Sequence, residues 1–135
     1  MTRKSPVDVP IITAKEAVAH HMRWRITLQL AVAMREPLSP GATRAIEHLE
    51  ECTIGKWLVS QHTLSARDTP EYQALVARHE EFHRVMHEIA FSISHEDYET
   101  AGLALAPGSS FRRAAQAISS AMMALDRIQT IALAS

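Results

Sequence analysis

The side chains best suited to chemistry at neutral pH are one cysteine, Cys52, and eight histidines, at positions 20, 21, 48, 62, 79, 83, 87 and 95. A thiolate is a nucleophile and a soft metal ligand; a neutral imidazole is a base and a metal ligand. With no second cysteine, Cys52 has no disulfide partner within the chain. It opens the stretch Cys52-Thr53-Ile54-Gly55-Lys56-Trp57, where Gly55 removes a Cβ near the thiol and Trp57 brings a large apolar ring. Packing, nucleophilic catalysis and metal ligation are the three uses open to such a cysteine. Where the histidines fall decides among them.

That depends on the elements that carry them. Thr13-Ala14-Lys15-Glu16 is a capping-box pattern, with Thr13 as N-cap. A helix is expected from there to about Met34, ended by Pro37, Ser39, Pro40 and Gly41. On it His21 shares a face with Ala17, Val18, Trp24, Leu28 and Val32, whereas His20 lies with Glu16, Arg23 and Thr27. His21 is therefore expected to point inward and His20 outward. Residues 43–62 read as a short helical segment with Cys52 in its middle, loosened or restarted at Gly55. His48 and His62 flank it at no ligand spacing and are expected at the surface.

Thr69 and Pro70 start a long helix that should run to about Ser94, with Tyr72, Leu75, Val76, Phe82, Met86, Ile89, Ala90 and Ile93 as its apolar stripe. His79 and His83 both fall within that stripe, an i, i+4 pair whose rings project from one side about a turn apart. At about 100° per residue, His87 lies at the stripe's edge. A short helix to about Ala106 should precede the break at Pro107-Gly108, after which Ser109 or Ser110 caps a last helix reaching about Ala134. That helix is apolar on more than one face, which fits either a partner chain beside it or core filling within one chain. No strand-like alternation, repeat or low-complexity tract interrupts the helical pattern. The fold expected is all-α, a four-helix bundle with a short extra helical segment carrying the cysteine; residues 1–12, with Pro6 and Pro10, form a loose lead-in to a single domain over 13–135.

Charge and composition narrow the partners. Fourteen basic and fifteen acidic residues give a net charge of -1, with no electrostatic footprint for nucleic acid. No apolar run is long enough to span a bilayer, and the basic start Met1-Thr2-Arg3-Lys4 is not followed by a signal-type apolar segment. With a single cysteine, this places the chain in a reducing cytoplasm.

The inward-facing candidates are then His21, Cys52, His79 and His83. Zinc takes such a mixture of thiolate and neutral imidazole in tetrahedral geometry. These residues stand in three motifs: His21-Met22-Arg23-Trp24, Cys52-x-x-Gly55-x-Trp57 and His79-x-x-x-His83. In this the sequence resembles the chemoreceptor zinc-binding (CZB) domain, over about residues 13 to 130. The resemblance implies a four-helix bundle that holds one Zn2+ through His21, Cys52, His79 and His83, forms a homodimer, and senses zinc or related stress for a chemoreceptor or a diguanylate cyclase. Within 135 residues there is no room for a cyclase or a receptor coiled coil, so a stand-alone member acting on a partner in trans, or a domain of a longer chain, is expected. Four protein ligands would leave no open position for a catalytic water, which argues against an enzyme. Three other readings compete. A hemerythrin-like iron bundle would need inward-facing carboxylates, and Glu80 and Glu81 fall off the stripe. A metal-free interaction module would simply pack Cys52 and the histidines. A thiol enzyme would pair Cys52 with a histidine base, but lacks any oxyanion-hole or substrate signature.

Overall fold

The computed structural model describes residues 13–49, 52–58 and 67–134. The lead-in at 1–12, and His62, lie outside the described residues. Six helices stand among those described: α1 (Ala14–Met34), α2 (Pro40–Glu47), α3 (Thr53–Leu58), α4 (Pro70–Ser94), α5 (Tyr98–Ala104) and α6 (Ser110–Ala134). They form an all-α bundle with the cysteine at the head of a short helix.

Local chemistry explains where each helix starts. The first N–H groups of a helix have no intrahelical partner, and a hydroxyl or carboxylate just upstream supplies one. Thr13 Oγ1 accepts from the Glu16 amide at 3.1 Å, Ser39 Oγ from Ala42 at 3.1 Å, and Thr69 Oγ1 from Tyr72 at 3.2 Å. Asp97 Oδ1 accepts from the Thr100 amide at 3.1 Å, and Ser109 Oγ from Arg112 at 3.3 Å. Of the two serines open as caps for the last helix, Ser109 takes the role. Helix α1 ends at Arg35, in the left-handed region with φ 52°, its guanidinium 5.7 Å from the centre of the Tyr98 ring.

Two expectations are corrected in the second stretch. It is not one interrupted helix over 43–62. Helix α2 begins earlier, at Pro40, and ends at His48, whose backbone is extended. Nor does the break fall at Gly55, which is buried inside α3. The break falls instead ahead of Cys52, whose amide donates to the Leu49 carbonyl at 3.2 Å. The Cys52 carbonyl accepts from the Lys56 amide at 2.9 Å, so Cys52 caps α3.

Pairwise contacts give the topology. Ile46 lies against His83, Cys52 against His79, and the Leu58 carbonyl accepts from the Tyr72 hydroxyl at 3.3 Å. Sequence numbers rise on one side and fall on the other, so α2 and α3 together run antiparallel to α4. Similarly, Arg35 meets Tyr98, Val32 approaches Gly102, and Met22 meets Ser119, so α5 and α6 run antiparallel to α1. The result is an up-down-up-down bundle whose second and fourth columns are built from segments. Leu28 of α1, Leu75, Phe82, Met86, Ile89 and Ile93 of α4, and Phe111, Ile118, Met122 and Leu125 of α6 are fully buried, and Trp57 of α3 joins them. Most of these are the apolar positions that helical spacing selects.

The core interpretation carries a stability prediction. Leu75→Ala should cost about 2–5 kcal/mol, read as a lower urea midpoint. The exposed Glu88→Ala, in a surface ion pair with Arg84, should change stability by less than about 1 kcal/mol.

Candidate metal centre

Helix faces deliver three of the four candidates and a helix cap the fourth. His21 follows Ala14 and Ala17 along the buried side of α1, leaving His20 exposed on the other. His79 and His83 sit a turn apart among Leu75, Phe82 and Met86 on the buried face of α4. Cys52 is turned into the bundle by its capping position at the head of α3. The four are 3%, 4%, 3% and 4% exposed, for His21, Cys52, His79 and His83 in turn. One ligand atom from each lies within 4.8 Å of all the others. At tetrahedral angles, zinc–nitrogen bonds near 2.1 Å and a zinc–sulfur bond near 2.3 Å put ligand atoms about 3.4–3.6 Å apart. A contraction of about an ångström at the widest pair closes this set.

The hydrogen bonds show which atoms face inward. A carbonyl can only accept, so the 3.1 Å contact between His83 Nδ1 and the Ile46 carbonyl fixes the proton on Nδ1. The lone pair is then on Nε2, which is buried and has no hydrogen-bond partner. His21 Nε2 is likewise buried and unpartnered. His79 Nε2 lies 3.4 Å from Cys52 Sγ. Unpaired buried polar atoms cost about 1–3 kcal/mol each, and here they converge on one point. The Ile46 carbonyl is the orienting partner that metal-ligating histidines ordinarily have on their other nitrogen.

The electrostatics suit neutral imidazoles. Burial pushes the His21 pKa well below its ordinary value, and the neighbouring His79 and His83 add to this. Burial and then His83 bring His79 to about 3. His83 is also lowered by burial, partly offset by its bond to Ile46. For Cys52 burial raises the thiol pKa, while the backbone N–H groups of Gly55 and Ile54 and the charge of Lys56 work the other way. A cation at the centre favours the thiolate, as these amides do.

The remaining candidates fall outside this point. His48 and His87 are exposed, and neither belongs to the cluster. Glu80 is exposed and Glu81 pairs with Arg84 at 2.6 Å, so no carboxylate joins the histidines among the described residues. A di-iron centre of the hemerythrin type is not supported by that donor set. Trp24, expected inward beside His21, is only partly buried, whereas Phe82 lies 4.3 Å from the His21 ring centre. Sequence reasoning missed the Ile46 carbonyl, because a backbone acceptor has no signature in residue type.

Three imidazoles and one thiol thus converge in the buried interior of a helical bundle, a donor set that suits a zinc ion. The chain belongs to the chemoreceptor zinc-binding domain family (CZB), whose family model matches residues 21–90, just over half of its length. That span includes all four candidates, and the metal named by the family is zinc. Neither the curated proteins nor the solved structures give a significant match. No helix among the described residues is long and apolar enough to cross a membrane.

The depressed histidines carry a pH prediction for the metal-stripped protein. Their folded pKa lies below the unfolded 6.5, so the neutral rings cost nothing above that pH. Below it the unfolded chain takes up protons that the folded one refuses. Stability should fall as pH drops below 6.5, for His79 by about 1.4 kcal/mol per pH unit down to about 3, with His21 and His83 acting in the same direction. Urea midpoints across that window check this, and a Phe replacement at His79 should flatten the slope.

Proposed function

We propose that His21, Cys52, His79 and His83 are the four ligands of one zinc ion, and that the domain is a non-catalytic sensor whose metal occupancy is read by a signalling partner. The observation that carries the reading is the convergence of their four ligand atoms, from stretches far apart in sequence, within 4.8 Å. Zinc supplies a redox-inert crosslink among four protein donors, with no open position for a substrate.

The side chains do the rest. Cys52 enters as thiolate and gives up its proton, so acid weakens the site. His83 keeps its Nδ1–H on the Ile46 carbonyl and so joins α2 to the same centre. Cys52 joins α3, and His21 joins α1. Structural sites of this kind are worth about 10–16 kcal/mol in peptide systems. Even a fraction of that exceeds the few kcal/mol between alternative helix packings. The element most dependent on it is α3, six residues long and too short to persist alone. Cys52 is also the one ligand that oxidants attack, which gives the same site a redox input.

In this reading the output passes to a chemotaxis or cyclic-di-GMP signalling protein through a homodimer. The expected second apolar face was on the last helix, where only Met123 is a large exposed apolar residue among those described. Helix α1 instead carries Met22, Ile26, Leu30 and Met34 at 43%, 54%, 57% and 61% exposure, a stripe of four-residue spacing. This supports a dimer contact along α1.

Purified protein should hold one zinc per chain, and Cys52→Ala and His83→Ala should each retain much less. Zinc absent from the parent, or unchanged in both variants, would falsify the assignment. Chelation should also speed amide exchange over residues 53–58 far more than over the centre of α4; equal protection with and without metal contradicts the proposed switch.

A further inference from the structure

A cavity of about 320 Å3 opens between α1 and α6, on the flank of the metal cluster. Its walls divide by chemistry. Met22, 43% exposed, and the partly buried Ala115 supply its accessible apolar side, Phe82 and Phe111 behind them being 1% exposed each. Arg25 of α1, with Arg112 and Gln116 of α6, forms a polar side, and His21 lines the cavity between them. No acidic side chain is among the lining residues.

Two features of the arginines call for a ligand. The Nε of Arg25 is buried with no hydrogen-bond partner, a cost that a bundle surface normally avoids. Arg112 is fixed in place, since its Nε donates to the Leu105 carbonyl at 3.0 Å. Two guanidiniums thus border one cavity with no acidic side chain among its lining residues, and like charges there repel. A forked guanidinium matches a carboxylate or another oxyanion. The apolar side selects further. An inorganic oxyanion is polar all round and would press against Met22 and Ala115, whereas a short-chain carboxylate has one polar end and one apolar end. The volume lies at the small end of the usual range for ligand sites, about 300–1,000 Å3.

We propose that this cavity binds a small organic carboxylate, its charged end on Arg25 and Arg112 and its apolar body against Met22 and Ala115, beside His21. Its occupancy is linked to the metal. A centre of Zn2+ and one thiolate carries net positive charge, so an anion next to it and the ion each favour the other. The linkage, unlike the binding, rests on the zinc ligation proposed above.

The test is an NMR titration of the zinc-loaded protein with sodium butyrate at constant ionic strength. The comparison ligands are 1-butanol and inorganic phosphate. Saturable shifts are expected with butyrate, at a dissociation constant of about 1–10 mM, and not with butanol. Arg25→Gln and Arg112→Gln, checked for helix content by circular dichroism, should each weaken butyrate about 10-fold or more. Where a variant does not fold, the three ligands on the parent protein decide. Absence of saturation, equal binding of butanol, tighter binding of phosphate, or unchanged affinity in both folded variants overturns the site. Repeating the titration after chelation should show weaker butyrate binding, and equal affinity overturns the linkage. Zinc analysis of the same sample reports separately whether metal was present to remove.

Discussion

Three imidazoles and a thiol meet in a core that is otherwise hydrocarbon and aromatic, and the bundle is arranged around that meeting. A well-packed set of leucines in their place would be more stable than these polar groups without their ion, because buried polar atoms lose water and two of the imidazole nitrogens gain no partner. Burial that keeps the rings neutral also keeps their lone pairs available. What is a liability for the empty core is a requirement for ligation. That conflict is the physical mark of a functional centre rather than of a packing accident.

The geometry that satisfies it is economical. One turn of α4 supplies two donors, and the up-down-up-down course brings α1 and the head of α3 to the same level. Segmentation of the second column is part of the arrangement. A continuous helix there would leave Cys52 mid-helix, whereas the break lets it cap α3, with its sulfur facing His79 and the backbone N–H groups of Ile54 and Gly55. The centre thereby gathers one long, rigid helix pair and one short helix of little independent stability, so a change at the ligands falls mainly on the short one.

Much of this was legible in the sequence. Thr13, and Thr69 with Pro70, marked helix starts by capping chemistry, and Pro107-Gly108 marked the last break. Helical spacing separated His21 from His20 and put His79 and His83 on the buried stripe. The three motifs carried the family. The interruption near Cys52 was misplaced at Gly55, because a glycine costs a helix only about 1 kcal/mol and burial in α3 outweighs it. The Ile46 carbonyl and the cavity bordered by Arg25 and Arg112 depend on how segments distant in sequence meet, which no local pattern encodes. The exposed apolar stripe of α1 was not foreseen: Ala115, Ala117, Ala121 and Ala124 of α6 are partly buried, while the larger residues on the outer side of α1 are exposed.

The most direct measurement is zinc-edge X-ray absorption on the natively purified protein. The account predicts a four-coordinate shell of three nitrogen scatterers near 2.0–2.1 Å and one sulfur near 2.3 Å, with imidazole multiple scattering. The sulfur contribution should vanish in Cys52→Ser. A six-coordinate oxygen shell, or a shell without sulfur in the parent protein, would contradict it.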